Sequence, residues 1–571
     1  MNLSDVRSHF FSFTKQLHLQ GWVRNAILSL LVVCVVIGVF CRFVNLDRKL
    51  YWHDENFTSM RISGYHEAQV VQAIRDAGIV DMAYIKQFQE PNPERNVTDT
   101  IKALTIDGPQ HPPLYYSMAH YWVRLFGGSV TSARAFPAVI SLFALPAMYW
   151  LLWELFQAPL VGVIGVIFMA VSPFHVLYAQ ESRQYSLWTV LILVAGAALV
   201  RAMRSRQPSH WLIYAISQAA LLYTTALSLF VVFSNGVYAL LRERGRLTQP
   251  FRQFLVAAAL GFVAFLPWFY VLVTNRGQVN DTLNFGAEKW SINVGDILKS
   301  LIRLPGRIFF DLNLNTGDPA IFTLVQRLFT PAALLLTAYA FFYLIRKTNR
   351  QVWLFPVTLT GVYGGLMLLQ DLLARGQGGG GSTMPRYMIP CFVGIQVAIA
   401  YLLGQQLSTT NTPVSQRRFG LGRKFWQGVF AVLLTASVAS SFVTTQAQVW
   451  WSKGSIGLKA IYPTADYINQ TQNPLLLSDA VSWDLLMMSY LLKPETKVLA
   501  KPICYVCQLE PEPNFEPDLA QLMQDFGTVF IFPEPTKPFM QWLETQPYRV
   551  ERVPMGDRVA PNIVLLKLLP K

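Results

Sequence analysis

The sequence carries little charge for its length. Of 571 residues, 14% are Asp, Glu, Lys or Arg, against roughly 25% in a typical soluble protein, and 53% are hydrophobic. Length alone would suggest three or four soluble domains, but so few charges cannot cover their surfaces. A cytosolic enzyme, a secreted toxin and a disordered scaffold are excluded, and long uncharged runs make this a polytopic membrane protein. Cysteine is also sparse, with five residues. Cys34, Cys41 and Cys391 lie in apolar runs, so only Cys504 and Cys507 form a motif. That pair could form a disulfide on an oxidising side; a zinc site would need two more ligands, and none is near in sequence. There is no Walker A motif and no Rossmann glycine fingerprint, which leaves nothing to suggest nucleotide binding or an ATP-driven pump. No internal repeat and no signal-peptide cleavage site are evident, and the first apolar run, Asn25 to Cys41, reads as a span.

The charge that is present is unevenly placed. The net charge is +14, yet from Ala447 to Lys571 there are 11 Lys and Arg against 13 Asp and Glu. The positive excess therefore lies upstream, in short loops between apolar runs. This is the positive-inside pattern of a membrane protein, and no nucleic-acid partner is expected. With about 20 apolar residues per span, eleven spans are placed at 25–44, 134–154, 158–174, 184–201, 210–223, 225–241, 252–273, 321–345, 352–371, 387–406 and 426–447. The fifth and sixth divide a run of 31 uncharged residues from Trp211 to Leu241. Arginine clusters flank that run on both sides; if both are cytoplasmic the chain must cross an even number of times, which puts a turn near Tyr223-Thr224-Thr225. Arg7, Lys15 and Arg24 keep the N-terminus in the cytoplasm, and Arg346, Lys347, Arg350, Arg417, Arg418, Arg423 and Lys424 mark later inner loops. Eleven crossings put the C-terminus outside, together with the segments 45–131 and 274–320.

The expected fold is mainly α. It is a transmembrane helical bundle of about 11 spans with amphipathic juxtamembrane helices and a small C-terminal α/β extracytoplasmic domain. The domains divide as 1–447, a membrane module whose first outer loop is 45–131, and 448–571, a soluble outer domain. In that domain Pro474–Ser478, Thr528–Phe532 and Ile563–Leu569 read as strands, and Ile461–Gln470 and Leu519–Phe526 as helices. The glycine-rich stretch from Arg375 to Pro385 reads as an outer loop, either a plain connection or a lid that orders on a ligand.

Candidate chemistry gathers on the outer side. Tyr51-Trp52-His53-Asp54-Glu55 follows the first span. Two adjacent carboxylates at a membrane surface are costly to bury unless paired or functional; one could act as general base for an attacking hydroxyl, and the plain alternative is a solvated acid pair. In His111-Pro112-Pro113-Leu114-Tyr115-Tyr116 the prolines start a helix. The run Leu114 to Phe126 is amphipathic, too short to span, and expected to lie on the membrane surface, as is Phe57 to Ile79. In Tyr178-Ala-Gln-Glu181-Ser-Arg183-Gln-Tyr185, polar groups at the mouth of two apolar helices suggest a buried network. Within it Arg183 or Tyr185 could touch a ligand phosphate or sugar, or Glu181 and Arg183 could form a structural ion pair. Arg303, Arg307, Arg375 and Arg386 also lie outside. Guanidinium suits phosphate oxygens, although any one of them could simply snorkel. Four N-glycosylation sequons, at Asn56, Asn96, Asn280 and Asn469, depend on the host for their use.

Taken in order, these motifs resemble the GT-C superfamily of membrane glycosyltransferases, and more narrowly its protein O-mannosyltransferase and aminoarabinose lipid A transferase group. The matching pieces are Asp54-Glu55 after span one, His111-Pro-Pro-Leu-Tyr-Tyr before span two, Gln180-Glu-Ser-Arg-Gln-Tyr185, and Arg386-Tyr-Met-Ile-Pro390 at the start of a late span, over roughly the first 400 residues. A histidine that relatives often carry after the Tyr-Thr of the fifth outer turn is Thr225 here. The resemblance implies an inverting transferase that takes a sugar from a polyprenyl-phosphate donor in the cell membrane and passes it to a lipid, glycan or protein acceptor. Asp54 would be the base and Glu55 its support. His53, His111, Pro112, Tyr115, Glu181, Arg183, Tyr185 and Arg386 would line the substrate site. Some relatives bind a divalent metal here, and His53, Glu55 and His111 could contribute ligands. The rival readings are a transporter or flippase for lipid-linked sugars, a non-catalytic assembly factor, and a polysaccharide ligase on a related scaffold. A transporter would want ionisable groups at mid-membrane, where these spans have almost none.

Overall fold

A computed structural model of the protein describes residues 21–279, 294–314, 318–374, 381–408, 422–451, 458, 460–505, 507, 515–554 and 564–571. Arg7, Lys15, Arg375, Arg417, Arg418, the Asn280 sequon and the glycines of 375–380 lie outside these residues. The chain divides into two compact units. One takes in the chain to Leu46, Pro137–Phe269 and Gly286–Gln446; the other takes in Asp47–Phe136, Tyr270–Phe285 and Ala447–Lys571.

The first unit is helical, and a helix stands at each of the eleven expected positions. Eight are long and apolar enough to cross a membrane: Asn25–Phe43, Val130–Phe156, Tyr185–Ser205, Gln249–Thr274, Ala320–Lys347, Arg350–Leu373, Pro385–Leu407 and Arg423–Gln446. A ninth is broken, with Pro159–Val171 and Pro173–Ala179 meeting at 55°; Pro173 has no N–H to continue the ladder. The run 211–241 folds as two helices of 15 residues, Pro208–Leu222 and Ser228–Arg242, around a turn at 223–227. At 1.5 Å per residue each is only about 22 Å long.

These helices pack where side chains are small. Gly38 lies so near the next helix that a β-carbon would stand 2.4 Å from the Ala170 carbonyl oxygen. Arg42, one turn on, is buried and donates to the carbonyls of Gly38 (2.8 Å), Ala170 (2.5 Å) and Met169 (2.9 Å) and to Ser141 Oγ (3.1 Å). A buried charge is tolerated because each of the three guanidinium nitrogens meets an oxygen. Gly38→Ala should therefore lower the melting temperature in detergent by several degrees. Gly428→Ala, where nothing lies within 4 Å, should leave it unchanged or raise it slightly.

The second unit is α/β, and its labels follow chain order. The first long loop supplies α1 (His53–Ile62), α2 (Glu67–Asp76), β1 (Ile79–Asp81), α3 (Val97–Asp107) and α4 (Leu114–Phe126). The tail supplies α5 (Ile461–Gln470), β2 (Pro474–Ser478), α6 (Ser482–Met488), β3 (Lys497–Ala500), α7 (Leu519–Asp525), β4 (Thr528–Ile531), α8 (Lys537–Thr545), β5 (Tyr548–Arg552) and β6 (Leu566–Pro570). One sheet runs β1-β3-β2-β4-β6-β5. Its centre, β3-β2-β4, is parallel, and the outer pairings are antiparallel. Both faces are covered, which is why β2 reads as a continuous apolar run rather than an alternating one. Leu476 and Phe530 point to a core shared with Phe57, Met60, Val70 and Ile74 of the first loop, while Leu475, Leu477, Val529 and Ile531 pack on Leu519, Phe539 and Leu543. The first loop thus gives the tail both an edge strand and one half of its core, an association that sequence alone does not show. The Phe57 to Ile79 run is two helices, broken at 63–66 by Gly64 in the left-handed region (φ 87°).

Candidate functional site

The acidic motif begins α1. Trp52 is extended (φ −87°, ψ 171°), and His53, Asp54 and Glu55 form the first turn, where the helix dipole favours negative charge. Successive residues on a helix point about 100° apart, so the two carboxylates face different surroundings. Glu55 is fully buried. Arg134 grips it with two parallel bonds, Nε to Oε1 at 2.8 Å and Nη2 to Oε2 at 2.6 Å. The same guanidinium donates to the carbonyls of Lys49 (2.8 Å) and Leu50 (2.9 Å) and lies 5.2 Å over the Tyr51 ring. Tyr51 closes the network, its hydroxyl 2.5 Å from Ser59 Oγ. Arg134 escapes sequence reasoning because it opens an apolar run and looks like a boundary charge. The signal that could have found it is the pairing demand of a buried acid.

Asp54 has a different environment. Its side chain is 23% exposed, and His53 Nε2 stands 3.7 Å from Oδ1. Thr58 Oγ1 donates to the Asp54 carbonyl at 2.9 Å and fixes the turn. The His53 ring packs between Trp52 (4.4 Å) and Trp483 (5.3 Å). A tail residue thus helps seat the acidic turn, a contact across more than 400 residues that no local pattern reveals.

The helix after the two prolines runs Leu114–Phe126, as the sequence predicts. Its buried face carries Tyr115 and Tyr116, and Pro112 is buried before it. The Tyr115 ring lies 5.5 Å from both Tyr116 and Phe136, while Tyr121, Leu125 and Phe126 are exposed. His111 is turned back by a bond from its N–H to the Gly108 carbonyl (2.8 Å). The His111 ring and the Arg61 guanidinium both close on Gly108, at 3.4 and 3.2 Å from where a β-carbon would stand. Arg61 lies seven residues, about two turns, after Asp54 on the same face of α1. Nothing local in the sequence marks it.

The remaining expected residues belong to the first unit. Gln180–Gln184 forms a tight turn after the broken helix, and all five side chains are buried. Gln180 Nε2 donates to the carbonyls of Cys41 and Val44, both at 2.8 Å, and the Arg183 N–H donates to the Glu181 carbonyl at 2.6 Å. Tyr185 begins the next helix with its ring 5.4 Å from Tyr178. Arg386 sits in a single helical turn, its guanidinium 5.2 Å from the Tyr387 ring. Just upstream, Asp371 accepts the backbone N–H groups of Gly381 (2.9 Å) and Ser382 (2.8 Å).

Of the metal ligands the resemblance suggested, Glu55 does not fit, because both its oxygens are held by Arg134. The Asn56 sequon is closed in the folded chain, since Asn56 is fully buried within α1.

In the second unit burial pushes up the carboxyls of Asp107, Asp479 and Asp484. Asp107 reaches about 6 through burial, against the opposing pull of Arg61 and the Glu67 backbone N–H. Asp484, beside Trp483, reaches about 7 through burial. Below about pH 4 both the folded and unfolded chain hold the Asp484 proton. Between about 4 and 7 only the folded chain does, so folding is increasingly penalised as pH rises. Asp484→Asn should therefore melt higher than wild type at pH 8, and the difference should shrink towards pH 4.

Residues 110–271 match the family described as dolichyl-phosphate-mannose-protein mannosyltransferase. Among solved structures the chain is similar to ArnT from Cupriavidus metallidurans in the apo state, with TM-score 0.52, 14% identity, and 96% of this chain and 98% of that one covered. ArnT bound to undecaprenyl phosphate gives TM-score 0.50 and 13% identity over 96% and 98%. The Archaeoglobus fulgidus oligosaccharyltransferase is more distant, at TM-score 0.44 and 12% identity over 83% and 64%. No curated protein matches by sequence. The fold is the GT-C-like fold of ArnT, and the family match takes in His111 and runs from the second expected span into the seventh.

Proposed function

We propose that the chain is an inverting glycosyltransferase. It would move a sugar from a polyprenyl-phosphate donor to a lipid, glycan or protein acceptor at the outer face of the cell membrane, with its N-terminus cytoplasmic and its C-terminal domain extracytoplasmic. The observation that carries this reading is the split between two neighbouring carboxylates: Glu55 is fully buried and bound at both oxygens by Arg134, whereas the Asp54 side chain is 23% exposed beside His53. The family match and the ArnT fold support it.

Asp54 takes the proton from the acceptor hydroxyl or amine as that atom attacks the anomeric carbon. The bond from that carbon to the phosphate oxygen breaks on the opposite face, and polyprenyl phosphate leaves with the electron pair. Phosphate is a good leaving group, so cations suffice where an acid would otherwise be needed. Arg61 and His111, in the unit that carries Asp54, are the candidates from the geometry; the resemblance adds Arg183 and Arg386. Glu55 is a positioning residue: with Arg134 it fixes the start of α1 and so the direction of Asp54.

The test supplies membranes containing the protein with a panel of radiolabelled polyprenyl-phosphate sugars and follows label into lipid, glycan and protein fractions. Transfer that depends on the chain and releases polyprenyl phosphate is expected. Donor that crosses the bilayer intact, with no new glycoside, would replace this reading with that of a flippase.

A further inference from the structure

Cys504 and Cys507 take no part in the chemistry above. The structure joins them as a disulfide, and it also brings a third metal-ligating group to them that their place in the sequence hides. Glu67, 437 residues upstream of Cys504, is the first residue of α2 and fully buried. Its carboxylate and the two sulfurs all lie within 4.8 Å of one another. We propose that in the dithiol form these three side chains are a zinc site, with the fourth position left to water.

The geometry favours an ion. Ligands at about 2.0–2.3 Å from a tetrahedral zinc stand roughly 3.5–3.8 Å apart; opening the disulfide lets the two sulfurs part to that spacing, with the Glu67 carboxylate already within 4.8 Å of both. The ligands are also held in advance, as metal ligands usually are. Glu67 Oε1 accepts the Tyr505 N–H at 2.6 Å and Ser482 Oγ at 2.5 Å. The strand-like start of the cysteine loop is pinned by Ile503 N–H to the Ala480 carbonyl (2.8 Å) and Ser482 N–H to the Ile503 carbonyl (2.9 Å). Cys504 and Cys507 are both half-buried rather than sealed in the core. A neutral disulfide gains little from a carboxylate at this distance, whereas a cation held by two thiolates gains a ligand and a compensating charge. The carboxylate also decides the metal: two thiolates alone would suit Cu(I), and a hard oxygen beside them favours Zn²⁺.

Disulfide and zinc exclude each other, so binding begins with reduction. With a phosphine, the disulfide and one water become two thiols and a phosphine oxide. Each thiol then gives its proton to solvent as it binds the ion.

The full-length protein in detergent, reduced without air and shown to present two titratable thiols, is given Co²⁺ as a coloured probe and then Zn²⁺. Reduced wild type should show the thiolate-to-cobalt charge-transfer band, bind one ion per chain and lose the colour to Zn²⁺. Oxidised wild type and Cys504→Ser/Cys507→Ser should show none of this. Glu67→Gln should weaken binding by at least the roughly 10- to 100-fold that losing a mere supporting partner costs. Should that variant fail to fold, X-ray absorption of zinc-loaded wild type decides, with two sulfurs at about 2.3 Å and oxygens near 2.0 Å expected. Cobalt binding no greater than in the double serine variant, or a zinc shell with no sulfur, would overturn the site.

Discussion

Replacing Arg134 by Met should destabilise the second unit by about 3–5 kcal/mol, the usual cost of removing one member of a buried ion pair. The loss is large because of what remains. Glu55 is fully buried, and Arg134 supplies both of its charged bonds; the same guanidinium also satisfies the Lys49 and Leu50 carbonyls. Arg134→Lys should recover only part of this, since an ammonium cannot make the two-pronged contact. Arg134→Met combined with Glu55→Leu should recover more of the stability than the single change, because no buried charge is left unpaired. Thermal melting in detergent and protease protection of the tail read all three. Equal melting of Arg134→Met and wild type would remove the network from the account.

Asp54→Asn should act on the reaction and leave folding alone. The Asp54 side chain is partly exposed, with His53 Nε2 3.7 Å from its Oδ1, and an amide has the same shape. General-base assistance is typically worth about 10²- to 10⁴-fold, and kcat should fall within that range with donor affinity little changed. His53→Ala should do less, because His53 packs beside the acid and does not take the proton. Glu55→Gln should fail mainly through stability. These contrasting patterns separate a base from a positioning residue, although the two residues are neighbours in sequence.

The membrane unit was legible because its information is local. Hydrophobic run length and flanking arginines are properties of short windows, and all eleven helices stand where those windows fall. Strands β2, β4 and β6 and helices α5 and α7 were legible for the same reason. What the sequence hid is long-range. Ile79–Asp81 is three residues with no strand pattern of its own, and it becomes β1 only because Leu499, Val498 and Lys497 offer an edge to pair with. Arg134 and Glu55 are 79 residues apart, and Trp483 meets His53 across more than 400. The acidic turn itself was found because two adjacent carboxylates are conspicuous. Their different roles were not, since burial is set by partners that no dipeptide reveals. Glu181, Arg183 and Tyr185 were expected in a buried polar turn, and the structure buries all three.

The most direct measurement uses purified protein in vesicles with a radiolabelled polyprenyl-phosphate sugar of defined anomeric configuration and an excess of the identified acceptor. It follows a single turnover in wild type and in Asp54→Asn. Transfer with inverted configuration by wild type, and loss of at least about a hundredfold in the variant with donor still bound, is the predicted result. Full-rate transfer by Asp54→Asn, or a product of retained configuration, would contradict a single displacement driven by this carboxylate.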